Sequence, residues 1–229
     1  MSGKLPGNLS VLDDRTRLST FDGGLLDRTQ DPELERLVAR AAEVSGFPIA
    51  LVSLVVDQIQ FFRAQVGLPP DLQASRASDR CNSFCQYVVA GDQPLFIEDA
   101  TQVEAIPTDL MDRYGIRAYV GFPLRVRGKT VGSFCVIDVK AARLEPEQLE
   151  ELSQLAEAAS ARLEVLASKW APPANAAEEK SHRAWMAVAE SQALASLAEQ
   201  FAEGRLTQEE FQRGLGALAT MAGALEKER

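Results

Sequence analysis

The spacing of apolar residues changes along the chain, and the first part predicts a helix followed by a β-hairpin. After Asp31-Pro32, a favourable helix start, apolar residues recur at the helical period until Gly46. PIALVSLVVD, residues 48–57, is nearly all apolar and rich in β-branched residues, which is typical of a strand covered on both faces. QIQFFRAQVG, residues 58–67, reads as its hairpin partner.

The middle of the chain predicts a further short helix, a short strand and a second hairpin. Ser83 and Gln86 form a capping-box pattern that opens a helix through residue 90. PLFIEDA predicts a short strand and TDLMDRYG a short helix, and Arg127-Gly128 is a hairpin turn signal between IRAYVGFPLRV and KTVGSFCVIDV. In the last of these strands, the period of two places four residues on one face: Val131, Ser133, Cys135 and Ile137.

A long helix and a separate helical tail are predicted after Pro146. From Leu149 to Trp170 the apolar residues alternate at spacings of three and four, which is an a/d seam. APPANAAEEKSH interrupts this pattern and indicates a linker, and two helices joined at Gly204 follow. The predicted division is an N-terminal extension at 1–16, a main domain at 17–170, a linker at 171–182 and a helical tail at 183–229.

Charge and composition exclude several classes of partner and chemistry. A net charge of −9 disfavours nucleic acid and anionic membranes as partners. Neither a secretory signal nor a membrane-spanning run is visible, and three cysteines without an export signal suggest free thiols in the cytoplasm. The one histidine, His182, falls in the linker, which leaves little scope for histidine-dependent catalysis. No metal site is predicted.

Five blocks of sequence, in order, resemble the GAF sensory domains found alone and in sensor kinases of bacteria: FPIALVSLVVDQIQFFRAQVGL, SFC, LFIEDA, IRAYVGFPL and GKTVGSFCVIDVKAARLEPEQL. The resemblance covers about residues 17–168. It implies an α/β fold, a GAF-like α/β/α sandwich with a central, mostly antiparallel sheet of about six strands. The predicted helical hairpin follows this domain. Chromophore-binding and haem-binding relatives need a histidine or another axial ligand, so haem and bilin are not expected. Zinc is not expected either, because no Cys-x-x-Cys pair is present and a carboxylate would have to complete the three cysteines. Any cofactor is unknown.

The resemblance also implies a small-molecule pocket on one face of the sheet. Its candidate lining residues are Phe62, Ser83, Phe84, Cys85, Tyr119, Phe122, Phe134 and Cys135. Cys85 falls near a helix N-terminus, a position that favours the thiolate. The alternative that Cys85 is simply a small buried core residue is favoured, and Cys81 lies on a polar loop.

These observations predict a non-catalytic, cytoplasmic signalling module, not an enzyme, that binds a small molecule or a partner protein and transmits through its C-terminal helices. Two alternatives stay open: a thiol-based redox sensor or reductase using Cys85 with Cys81 or Cys135, and a structural adaptor without a ligand. A homodimer is expected, with the tail contacting a protein partner. The predicted interface residues are Leu152, Ala159, Leu163, Leu166, Trp170, Phe201 and Phe211.

Overall fold

The computed structural model describes residues 5, 7–21, 24–56, 59–80, 83–103 and 114–169, and in the tail 201, 202, 204, 207, 208, 211, 212 and 215. The helices are α1 (Arg15–Leu18), α2 (Pro32–Ser45), α3 (Pro70–Ser75), α4 (Cys85–Gly91) and α5 (Pro146–Lys169). The strands are β1 (Ile49–Val55), β2 (Ile59–Val66), β3 (Ala77–Asp79), β4 (Leu95–Ile97), β5 (Ala118–Val126) and β6 (Lys129–Asp138). Short 3-10 turns lie at Ser10–Asp13 and Ala100–Gln102. The predicted helix at 108–115 and the linker at 171–182 fall largely or wholly outside the described residues.

The six strands form one sheet in the order β3-β2-β1-β6-β5-β4. Every neighbouring pair is antiparallel, so the predicted sheet is confirmed. The two hairpins lie side by side because β1 pairs with β6, the last strand of the chain. Gly132 permits this pairing, since a Cβ there would lie 2.0 Å from the Ser53 carbonyl oxygen.

One face of the sheet is covered by α2 and α5. The α2 helix begins where the Asp31 carboxylate accepts hydrogen bonds from the amides of Glu33 and Leu34, and it ends at Gly46 in the left-handed region, as predicted. Asp31 also accepts hydrogen bonds from two nitrogens of Arg162 in α5, Nε and Nη2, and the shortest of these contacts is 2.7 Å. One buried carboxylate therefore caps α2 and joins it to α5.

The apolar seam of α5 faces the protein's own sheet. Leu152, Ala159 and Leu163 are at most 1 % exposed and belong to the core between the helices and the sheet. Leu166 is half-buried against the same core, and Trp170 lies outside the described residues. The prediction that the first three residues form an interface with a second chain is therefore wrong, because the sheet already covers them.

The opposite face of the sheet is covered by α4 and by the N-terminal 3-10 turn. Leu12 of that turn is fully buried in the same cluster as α4. The buried guanidinium of Arg17 donates to the carbonyl oxygens of Val11, Leu12 and Val55. Residues of the predicted N-terminal extension thus complete this layer.

Two aromatic side chains of the tail are in contact. The rings of Phe201 and Phe211 stack with their centroids 4.6 Å apart, on either side of Gly204, which has a positive φ of 71°. This contact is consistent with the predicted helical hairpin. Across the part of the chain that the structure describes, no helix has the length and apolar character needed to cross a membrane.

Candidate functional site

The structure gathers most of the predicted pocket residues on the α4 side of the sheet. Six of the eight lie there and are buried: Phe62, Ser83, Phe84, Cys85, Tyr119 and Cys135. Phe122 and Phe134 lie on the other face, in the core with α2 and α5. They are directly opposite each other on β5 and β6, and their neighbours Gly121 and Cys135 form the next pair. Because adjacent residues of a strand point to opposite faces, Phe122 and Phe134 cannot line a pocket that contains Cys135.

The start of α4 differs by one residue from the predicted capping box. Phe84, not Ser83, precedes the first helical residue, which is Cys85. Ser83 still satisfies a free backbone group, because its hydroxyl oxygen accepts the Cys85 amide at 3.0 Å. This hydrogen bond fixes the backbone that carries the Cys85 side chain.

Two thiols meet in the centre of the layer between α4 and the sheet. The sulfur atoms of Cys85 and Cys135 are 3.8 Å apart, and both cysteines are reduced. They are at most 2 % exposed, which confirms the prediction that both are buried. Cys81 and His182 lie outside the described residues.

A short chain of hydroxyl groups supports the Cys85 sulfur. Tyr119 of β5 donates its phenolic hydrogen to Cys85 Sγ at 3.4 Å. The Tyr119 oxygen is also 2.9 Å from Ser133 Oγ. Because Tyr119 has only one hydroxyl hydrogen, Ser133 must be the donor in that second contact. The three groups are therefore ordered Ser133, Tyr119, Cys85, each donating to the next.

Gly121 provides the space for this chain. A Cβ atom at residue 121 would lie 2.3 Å from the Tyr119 hydroxyl oxygen and 2.7 Å from Ser133 Oγ. Any larger residue would displace one of the two side chains. Gly121 and Ser133 were not among the predicted site residues, although Ser133 was predicted to share a strand face with Cys135.

Ser53 of β1 is a further polar group beneath the thiols. It is directly opposite Ser133 in the β1–β6 pair and is completely buried. Its hydroxyl oxygen has no partner at hydrogen-bond distance among the described residues. It lies near enough to the Cys85 thiol to stabilise negative charge on that sulfur. Ser53 was missed from the sequence because it occurs in a strand that is otherwise apolar.

The surroundings make the two thiols unequal. Burial raises the pKa of Cys85, but hydrogen bonding with Cys135 and Tyr119, together with the nearby hydroxyls of Ser53 and Ser83, outweighs it and lowers the pKa to about 6. Burial raises the pKa of Cys135 well above its usual value, and the neighbouring Cys85 raises it further. Burial likewise raises the pKa of Tyr119, together with the charge on Cys85. At neutral pH this arrangement favours a thiolate at Cys85 beside a thiol at Cys135.

Apolar side chains enclose this polar group. The rings of Phe84 and Tyr119 pack with their centroids 5.2 Å apart. Leu12, Leu51 and Val88 are buried in the same cluster. Among the described residues, no group of three or more histidine, cysteine, aspartate or glutamate side chains has a metal-binding arrangement.

Comparison with known proteins connects this architecture to a family. Residues 31–163 match the model of the GAF domain. A cyclic di-GMP phosphodiesterase of Pseudomonas aeruginosa is 33 % identical over 161 residues, which are 68 % of this chain and 27 % of the relative. The chain therefore spans about a quarter of the length of that relative.

Solved structures are similar to this chain at low sequence identity. The GAF domain of an Acinetobacter phosphoenolpyruvate-protein phosphotransferase superposes with a TM-score of 0.50 at 14 % identity, over 69 % of this chain and 98 % of that one. A free methionine-R-sulfoxide reductase of Neisseria meningitidis, solved with its substrate, gives 0.49 at 13 % identity, over 74 % and 99 %.

These comparisons correct one prediction and establish the family. The expectation that the chain is not an enzyme is contradicted by the relative with 33 % identity, which is named as a phosphodiesterase. The family match spans more than half of the chain and agrees with the observed sheet. The chain belongs to the GAF domain family, whose members are signalling and regulatory modules.

Proposed function

We propose that this chain is a regulatory GAF module in cyclic di-GMP signalling, with its input in the layer that contains the thiols and its output through α5. The observation that carries this proposal is the identity of 33 % over 161 residues with a cyclic di-GMP phosphodiesterase. The matched segment is about a quarter of that protein. The present chain would thus correspond to one segment of a larger signalling protein.

The sheet offers a physical route between input and output. Tyr119 of β5 contacts Cys85 on the α4 side, whereas its neighbour Val120 belongs to the core with α2 and α5. A displacement of β5 would therefore reach both layers. At the far side of the core, Arg162 ties α5 to Asp31 at the start of α2, so movement of α5 would be shared with α2.

A chimeric enzyme tests the regulatory role. The matched segment of the Pseudomonas phosphodiesterase would be replaced by the present chain, and hydrolysis of cyclic di-GMP would be measured. We expect the chimera to hydrolyse cyclic di-GMP at a rate that changes with Arg162→Gln, which breaks the link between α5 and Asp31. The matched control is Arg143→Gln, whose ion pair with Glu98 is exposed and involves neither α2 nor α5. If deleting the segment, inserting this chain and mutating Arg162 all give the same rate, the regulatory proposal is wrong.

The same relative favours a second candidate, in which the chain itself acts on cyclic di-GMP. Purified full-length chain would be incubated with cyclic di-GMP, and the linear dinucleotide would be measured by chromatography. Product that is lost when Tyr119 is replaced by phenylalanine, but retained in Phe96→Leu, would place the activity at the thiol layer. If no product forms with any divalent metal ion tested, this second candidate is wrong. That result would leave the regulatory proposal, which the chimera tests, unchanged.

We retain a homodimer and a tail-bound protein partner as parts of the proposal, with a changed interface. The seam residues Leu152, Ala159 and Leu163 are already covered within one chain, so a second copy would contact the outer side of α5 or the tail. Val165 is 39 % exposed on that outer side. Light scattering measures the molar mass of the wild type and of Val165→Glu, and we expect a dimer for the wild type and a monomer for the variant. A wild type that stays monomeric would remove the dimer from the proposal.

A further inference from the structure

We infer that Cys85 and Cys135 form a site of reversible oxidation, in which hydrogen peroxide converts the two thiols to a disulfide. The geometry carries this inference. Their sulfur atoms are 3.8 Å apart, on α4 and on β6, and nothing separates them. A disulfide needs a sulfur–sulfur distance of about 2.05 Å, so the two atoms must approach by roughly 1.7 Å.

The two cysteines are suited to different steps. Cys85 receives the Tyr119 hydrogen bond and is close to the unpaired hydroxyl of Ser53, so its sulfur is the better site for negative charge. A thiolate, rather than a thiol, is the attacking form. Cys135 lies on the central strand pair and keeps its proton, and it can therefore react second. Among the described residues, the titratable groups in hydrogen-bond contact with Cys85 are Cys135 from β6 and Tyr119 from β5.

Burial restricts the oxidant to a small, uncharged molecule. Both side chains are at most 2 % exposed, beneath α4 and the turn that carries Leu12. Larger disulfide reagents cannot reach either sulfur without displacing α4. Hydrogen peroxide is small and neutral, and it requires no bound cofactor.

The reaction balances in two steps. The Cys85 thiolate attacks one peroxide oxygen, a sulfur–oxygen bond forms, the oxygen–oxygen bond breaks, and the leaving hydroxide takes up a proton from solvent to become water. The sulfur of Cys135 then attacks the Cys85 sulfenic acid, the sulfur–oxygen bond breaks, and a second water leaves with the Cys135 proton. The sulfur pair loses two electrons and one peroxide gains them.

Disulfide formation would couple this chemistry to the fold. The bond would join α4 to the middle of β6, residues that are 50 positions apart in the chain. Drawing the sulfurs together would move α4 against the sheet at Tyr119. As an input signal this inference rests on the proposed regulatory function, whereas the oxidation itself does not.

The test uses the full chain, reduced and then exposed to hydrogen peroxide under native conditions. We expect the intact mass to fall by two hydrogens and peptide mapping without reductant to link Cys85 with Cys135. Cys81→Ser is the matched control and should form the same link. In Cys135→Ser the disulfide should be absent, and the intact mass should rise by one oxygen, which dimedone added after the peroxide is removed and the protein is unfolded should locate at Cys85. Cys135→Ala serves the same purpose if the serine variant does not fold.

Tyr119→Phe tests the role assigned to the hydroxyl chain. We expect the rate of Cys85 oxidation at neutral pH to fall roughly fivefold to tenfold, as loss of one donor disfavours the thiolate. The midpoint of the pH profile should also move upward, which a purely structural defect would not cause. A Cys81–Cys85 link, or thiols that oxidise only in denaturant, would overturn the inference. Because these readouts need no cyclic di-GMP, they can fail or succeed independently of the chimera.

Discussion

The two faces of the sheet bury their side chains to a similar extent but bury different chemistry. Towards α2 and α5 the core is made of aliphatic and phenylalanine side chains, with Asp31 paired to Arg162 and the buried Arg63 near that pair. Towards α4, hydroxyl and thiol groups occupy the centre of the layer. Buried polar groups lower stability unless they are paired, and Ser53 has no hydrogen-bond partner among the described residues. One face is therefore an apolar core, and the other contains the polar groups on which both proposals depend.

The largest effect is expected where the scaffold face is broken. Leu163→Ala removes a completely buried side chain from the core with α2 and α5, and we expect the free energy of unfolding to fall by about 2–5 kcal/mol. Urea unfolding followed by circular dichroism measures the change. The control is Val165→Ala, two residues further along α5, where the side chain is 39 % exposed. Its free energy of unfolding should differ from that of the wild type by less than about 0.5 kcal/mol. Equal losses in both variants would mean that the seam is not internal packing.

The rim of the same face should be the next most sensitive position. Asp31→Ala removes the cap of α2 and leaves Arg162 without its closest partner, and we expect a loss of about 3 kcal/mol. Asp31→Asn keeps a capping oxygen but no charge, so its free energy of unfolding should fall by less than that of Asp31→Ala.

The pH dependence of the Asp31 variants follows from the ion pair. Burial raises the pKa of Asp31, but Arg162 and the Leu34 amide outweigh this effect and lower it below the usual value. Its stabilising contribution is then present above about pH 4 and is lost as the pH falls through the lowered pKa. Unfolding measured from pH 7 downward should therefore show a steeper acid loss in the wild type than in Asp31→Asn. If stability falls with pH in parallel for the wild type and Asp31→Asn, the ion pair does not cause the acid loss.

Filling the space beside the hydroxyl chain should have a moderate effect on the thiol face. Gly121→Ala brings a methyl group to within 2.3 Å of the Tyr119 oxygen, and we expect a loss of about 1–3 kcal/mol. The control is Gly7→Ala, because a Cβ at that position meets nothing within 4 Å. The second readout is the peroxide reaction of Cys85, which should slow in Gly121→Ala and stay unchanged in Gly7→Ala. A stable variant with unchanged Cys85 reactivity would show that the space has no such role.

The smallest effect concerns a surface pair outside both layers. The pKa of Asp99 is lowered to about 2, first by its hydrogen bonds with Arg117 and then by Thr101. This group stabilises the fold above about pH 4, and that contribution is lost as the pH falls towards 2. Asp99→Asn should therefore have a slightly shallower acid unfolding curve than the wild type, measured by circular dichroism. If Asp99→Asn changes the acid unfolding curve more than Asp31→Asn does, the exposed pair contributes more to acid stability than the buried pair, contrary to this prediction.

The elements could be predicted from the sequence because local signals agreed with the fold. The apolar run that became β1 permits no amphipathic helix, and Gly128 suits the hairpin in which Arg127 and Gly128 both have positive φ. The α2 boundaries followed from Asp31, Pro32 and Gly46. In each case a short segment carries all the information that its conformation requires.

Which face a side chain occupies was harder to predict, since it depends on pairing between strands. Phe122 was grouped with Tyr119, although the odd spacing between them places them on opposite faces. Val131 was grouped with Ser133 and Cys135, but the register shifts at Leu124/Arg125 and leaves Val131 opposite no residue of β5, so it packs with α2 and α5. The seam of α5 predicted an apolar contact but could not specify whether the contact would be the chain's own sheet or a second copy.

The N-terminal turn has a consequence for anyone who expresses a fragment of this protein. The family match begins at residue 31, yet Leu12 is fully buried and the Arg17 guanidinium donates to Val55 at the end of β1. Trimming to residues 31–163 would uncover the apolar side of α4 and also remove Ala167, whose carbonyl oxygen accepts a hydrogen bond from Arg127 at 3.0 Å. We expect such a fragment to aggregate or to expose its thiols. The autonomous folding unit is therefore longer at both ends than the segment shared by the family.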